Sequence, residues 1–180
     1  MIYIKWFFLA LSGILLKYLV AFPLTPIIVL FAKSDGHLPT WLNWFQTFDA
    51  PLDGDSSWLN NRPYKDESGK YQRYINRCYW LWRNSLYGFS RSVLGVKHNE
   101  GEELLLTGDI ETSETNSHSG SVTRKLYQNG KLVAFQYYRV SQWWSSSKCT
   151  RLNIGWKLWA GQGDVAMICH SYTPFKHFGN

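Results

Sequence analysis

Asp49, Asp53 and Asp55 share one Pro- and Gly-punctuated stretch, Asp49-Ala50-Pro51-Leu52-Asp53-Gly54-Asp55. Carboxylate oxygens so close together can take up a divalent cation. With His98 as an acid–base partner, they could also serve a hydrolase working at a membrane face. The spacing speaks against a dedicated calcium loop. Asp53 and Asp55 fit its first and third positions, but Trp58 occupies the sixth, where a sharp turn demands Gly. Helix capping and turn formation are the plainer uses of such aspartates. No metal and no cofactor is therefore expected.

Other reactive pairings are as sparse. His98 with Glu100, and His170 with His177, lack the spacing of a helical His-x-x-x-His pair. Cys169 and His170 are adjacent, so on a strand they face opposite sides and make a poor dyad. There is no G-x-S-x-G, Walker A loop or G-x-G-x-x-G. Tyr127, Tyr138, Lys125 and Arg139 do not align into a stacking surface, so nucleic acid is not the expected partner.

Binding residues are better placed. Residues 71–89, YQRYINRCYWLWRNSLYGF, carry Tyr71, Tyr74, Ile75, Cys78, Trp82 and Leu86 at helical spacing. Lys70, Arg73 and Arg77 form a second, basic face. Basic on one side and aromatic on the other suits a lipid headgroup surface as well as a sheet. Lys70, Arg73, Arg77, Trp82 and Arg83 are thus the expected binding residues. Arg83 is expected to act as an anion fork, or to tie Asp49 or Asp53 to the helix end.

The element that must position all of this is the N-terminus. Residues 3–32, YIKWFFLALSGILLKYLVAFPLTPIIVLFA, are apolar apart from Lys5 and Lys17. A bilayer core needs about 20 apolar residues as a helix. Lys17 would cost about 2.5–3.5 kcal/mol at the centre of a span. Pro23 and Pro26 bend or break the helix. The stretch reads as one kinked span, or alternatively as a re-entrant or interfacial hairpin turning at Ala21-Phe22-Pro23. It is too long for a signal peptide and lacks a small-residue cleavage site.

Composition fits a membrane setting. The net charge is +6, 17% of residues are aromatic, and ten are Trp. Trp and Tyr favour membrane interfaces, and a basic surface favours anionic lipid. Three cysteines, Cys78, Cys149 and Cys169, are far apart and lack metal spacing. Reduced thiols point to a cytoplasmic C-terminal domain.

The remainder reads as α+β. Residues 1–32 are the membrane anchor, 33–69 a linker with a short helix at 41–48 capped by Thr40, and 70–180 a helix with a sheet. From Glu102 the hydrophobic period is two. Strands are expected at 104–109, 121–128, 131–142, 150–158 and 165–172, forming an antiparallel β-meander closed by Pro174. Asn129-Gly130 supplies the positive φ angles of a type I′ hairpin turn, which would pair Leu126 with Val133 and Val122 with Tyr137. Further turns are expected at 145–147 and 161–164.

Residues 41–55, WLNWFQTFDAPLDGD, and 79–89, YWLWRNSLYGF, resemble a group of small uncharacterised proteins of tailed bacteriophages and prophages. In that group a Trp-Arg-Asn turn follows an aromatic helix, and an apolar N-terminus is usual. The closing Pro174-Phe175-Lys176 is similar too. The resemblance implies a phage accessory protein at the host inner membrane, and it implies no activity. The leading expectation is a non-enzymatic protein binding a lipid membrane or a host or phage protein partner. The alternatives are the Asp/His hydrolase and a virion structural protein whose apolar N-terminus packs between subunits.

Overall fold

The computed structural model describes residues 1–66, 68–98, 102–144, 146–159 and 163–179. Its fold is α+β, with a long apolar N-terminal helix, short helices and an antiparallel five-stranded sheet. The chain divides into two compact units. One is Met1–Ala10 with Leu94–Asn180, and the other is Leu11–Val93. These boundaries fall elsewhere than residues 32 and 69.

The apolar run is one helix. It comprises α1 (Ile2–Leu16), a π turn (Lys17–Ala21) and α2 (Phe22–Val29). The expected bend at Ala21-Phe22-Pro23 is absorbed by the π turn. There the Phe22 N–H reaches back five residues to Lys17 O. The wider turn makes room for the Pro23 ring beside the preceding carbonyls.

In the second unit, residues 41–48 do not form a helix. A single 3-10 turn, Thr40–Leu42, follows Pro39, and Thr40 caps nothing. The carbonyls a helix would use are engaged elsewhere: Phe45 O, Gln46 O and Trp44 O accept from the N–H groups of Leu86, Gly88 and Phe89. Next comes α3 (Ser56–Asn61), a helix within the expected linker, capped by the Asp55 carboxylate on Trp58 N–H at 2.7 Å. The expected helix at 71–89 is two helices, α4 (Lys70–Arg83) and α5 (Tyr87–Ser92), parted where Leu86 takes φ 61°. Leu38, Leu52, Trp58, Trp80 and Leu81 form this unit's core with Ile28 and Val29 of α2.

In the first unit, β1 (Val96–Lys97) pairs with β6 (Val165–Ala166). The main sheet is a meander: β2 (Glu103–Gly108), β3 (Gly120–Gln128), β4 (Lys131–Gln142), β5 (Lys148–Trp156) and β7 (Ile168–His177), in that spatial order. Asn129 and Gly130 have φ 50° and 73°, as the hairpin turn requires. The register differs by one residue, because a bulge after Leu126 pairs it with Ala134 and pairs Val122 with Tyr138. The expected strand at 165–172 is split between β6 and β7. Pro174 lies inside β7, which tolerates it as an edge strand. The expected turns at 145–147 and 161–164 lie partly outside the described residues.

One sheet face carries a buried polar ladder. Gln136 Nε2 donates to Asn153 Oδ1 at 2.9 Å, and Cys169 Sγ donates to the same oxygen at 3.2 Å. Val122, Tyr138, Val140 and Cys149 continue this face beneath Trp159 and Phe178. The opposite face, marked by Phe135, takes the start of α1: Tyr3 and Trp6 sit 4.6 and 5.8 Å from its ring.

Candidate membrane interface

The apolar helix is built with two sides. Ala10, Gly13, Ala21, Thr25 and Ile28 are buried and recur every three or four residues, apart from half-buried Lys17 midway. Small residues on this stripe let backbone approach backbone. Apart from buried Val29 and the half-buried Ile2, Trp6, Leu9, Ile14 and Pro26, the other side chains face out: Ile4 is 64% exposed, Phe8 60% and Leu19 70%. Only 17% of its most apolar stretch is buried. So large an exposed apolar surface marks an interaction site. Ile2–Val29 is long and apolar enough to cross a membrane.

Side chains fasten the helix inside each unit. In the second unit, Pro26 has no N–H, so Phe22 O loses the donor that helix geometry would give it. The Trp82 indole supplies one instead, Nε1 to Phe22 O at 2.9 Å, and stacks on the Phe22 ring at 6.2 Å. At the helix end Leu30 N–H turns to Ile27 O, and the Tyr74 hydroxyl donates to Pro26 O at 3.0 Å. In the first unit, Trp6 Nε1 donates to two sheet carbonyls, Gly155 O at 3.1 Å and Cys169 O at 3.2 Å. Gly155 is paired with Cys169 and adopts φ 109°. A Cβ on Gly155 would fall 2.0 Å from Phe135 O, so the strand closes here only with glycine.

The expected binding residues separate. Lys70 and Arg73 are exposed. Arg77 does not lie on their face: it is 9% exposed and grips Asp53 with both prongs, Nε–Oδ1 at 2.7 Å and Nη2–Oδ2 at 2.8 Å. The Arg77 guanidinium holds the Asp53 carboxyl below its ordinary range. Asn76 turns inward beside it and brackets the Tyr64 backbone, accepting from Tyr64 N and donating to Tyr64 O. These polar contacts rotate α4 so that Tyr71, placed on the inner face by apolar spacing, is 64% exposed. Arg83 ties down neither Asp49 nor Asp53; it lies over the Trp58 and Trp80 rings at 5.9 and 5.8 Å. Trp82 is the helix clamp.

The residues of the hydrolase alternative have other engagements. Asp53 is engaged by Arg77, Asp55 caps α3, and Asp49 is an exposed loop residue. His98 belongs to the other unit, where its N–H donates to Asp164 O. Its expected partner Glu100 is outside the described residues. Cys169 is enclosed, and burial pushes its thiol up to about 12, so it is a poor nucleophile at neutral pH.

The whole chain, residues 1–180, matches the profile of DUF7338, a family of unknown function. The chain belongs to that family. No curated protein and no solved structure matches it.

One polar cluster in this DUF7338 chain escapes sequence reading. In the loop after β2, His118 Nε2 meets Asp109 Oδ2 at 2.5 Å and Nδ1 lies 3.6 Å from Glu111 Oε2. Among the described residues this is the one group of His and carboxylates close enough to hold a metal ion. The imidazole already engages a carboxylate through one nitrogen and faces the second through the other, which makes the trio a loop fastening. Asp109 and His118 are nine positions apart, so only the folded loop brings them together.

Proposed function

We propose that this chain is a membrane-held accessory protein that acts by binding a lipid surface or a protein partner, without catalysis. The observation that carries the reading is the Ile2–Val29 helix, whose outer arc exposes large apolar side chains such as Ile4, Leu19 and Ile27. Exposed Trp41, Trp44, Trp143 and Trp144 supply ring systems of the kind enriched at bilayer interfaces. Cys78, Cys149 and Cys169 are all unpaired and buried, in keeping with a reducing, cytoplasmic setting for the sheet. The resemblance to phage proteins favours a bacterial inner membrane as the host membrane. Fractionation of a bacterium producing the full chain tests the reading. The protein should pellet with the inner membrane, resist high salt and alkaline wash, and dissolve in detergent. Recovery in the soluble fraction would refute it.

A further inference from the structure

We propose that the Ile2–Val29 helix lies along the membrane surface, embedded by its outer arc, and does not cross the bilayer. The inference rests on the membrane reading above and adds the orientation of the helix. Among the described residues Ile2–Val29 is the one helix long and apolar enough to cross. The sheet is open, with edges at β2 and β7, and open sheets do not span lipid. Everything after Val29 therefore stays on one side.

Both ends of the helix are bonded to that later chain. Near the start, the Trp6 indole donates to Gly155 O and Cys169 O, and Tyr3 packs on Phe135. Near the end, Phe22 O and Pro26 O accept from Trp82 and Tyr74. The helix is about 42 Å long, against about 30 Å of hydrocarbon. If it crossed, Trp6 would emerge on the far side, away from the strands it bonds. A flat placement keeps every one of these bonds. It also suits Lys17, which sits on the inner stripe between Gly13 and Ala21, away from the lipid arc.

Within the first unit, the sheet face beneath Trp6 carries further aromatic rings. By strand alternation Phe135, Tyr137 and Trp143 share it, with Tyr172 across from Leu152. Tyr172 is 68% exposed, and Phe175, 5.0 Å from the Trp143 ring, is 63% exposed. Lys148 lies 5.9 Å from the Phe175 ring. Aromatic rings flanked by a cation are what the headgroup layer accommodates. The occupant this surface fits is thus an anionic lipid bilayer.

The test uses the full chain in sealed inner-membrane vesicles of known orientation. One variant carries a hydrophilic N-terminal tag with a single cysteine, and another carries Ser147→Cys. The native cysteines are buried and stay silent. A membrane-impermeant maleimide should label both sites from the same side, with neither labelled from the other. Labelling from opposite sides would overturn the flat helix and leave the membrane reading standing. A chain that fails to pellet with the vesicles would overturn both.

Discussion

Replacing Trp82 by Phe isolates one hydrogen bond. The substitution keeps an aromatic ring against Phe22 and removes only the indole N–H that reaches Phe22 O at 2.9 Å. That carbonyl has no backbone donor because residue 26 is proline. The bond is exposed in the structure, so losing it should cost about 0.5–1.5 kcal/mol, a factor of about 2 to 12 in local opening. Pro26→Ala restores the missing N–H, so in that background Trp82→Phe should cost less than about 0.5 kcal/mol. The assay is hydrogen exchange of the Lys70–Arg83 amides in the detergent-solubilised full chain, which reads this unit separately from the sheet. Equal costs in the two backgrounds would show that Trp82 acts by packing alone and that the indole N–H does not serve the Phe22 carbonyl.

Three further outcomes are expected. Gly155→Ala should destabilise the sheet by more than about 2 kcal/mol, since its Cβ meets Phe135 O and its φ is 109°; an unchanged thermal midpoint would contradict the close approach. Gly130→Val has open space around it, so only the φ of 73° opposes it and the loss should be about 1–2 kcal/mol in urea unfolding; a larger loss would contradict the open space around the turn. The folded-state pKa of Asp53 is depressed, so its contribution is present above the unfolded value near 3.8 and is lost as pH falls through the folded value. The denaturation midpoint should therefore drop below about pH 4 in the wild type and drop less in Asp53→Asn; equal acid slopes would remove the Arg77 pair from the stability account.

The sequence disclosed what depends on local chemistry. The continuous apolar run, the period of two after Glu102 and the Asn129-Gly130 turn each carry their own physical signature, and the helix and meander follow from them. What it hid depends on distant partners. Apolar spacing placed Tyr71 inside and Arg77 outside, but the Asp53 carboxylate and the Tyr64 backbone turned α4 the other way. Residues 41–48 look helical until the N–H groups of Leu86, Gly88 and Phe89 claim their carbonyls. In the strand expected at 150–158 the apolar residues Leu152 and Ile154 are only half-buried, whereas Asn153 and Gly155 are the buried pair, because Gln136 and Cys169 meet Asn153. Pro26 read as a helix breaker, although Trp82 meets the carbonyl it strands. The Asp109–His118 contact needed the loop closed before it existed.

In the proposed arrangement the outer arc of the Ile2–Val29 helix faces lipid. Spin labels at Leu11→Cys, Leu15→Cys and Leu19→Cys of the full chain in anionic bilayers read this directly, because all three positions are exposed and the native cysteines are buried. Relaxation by oxygen, which concentrates in hydrocarbon, should dominate at all three sites over relaxation by a water-soluble nickel chelate. Dominance of the chelate at all three would place this arc in water and contradict the account.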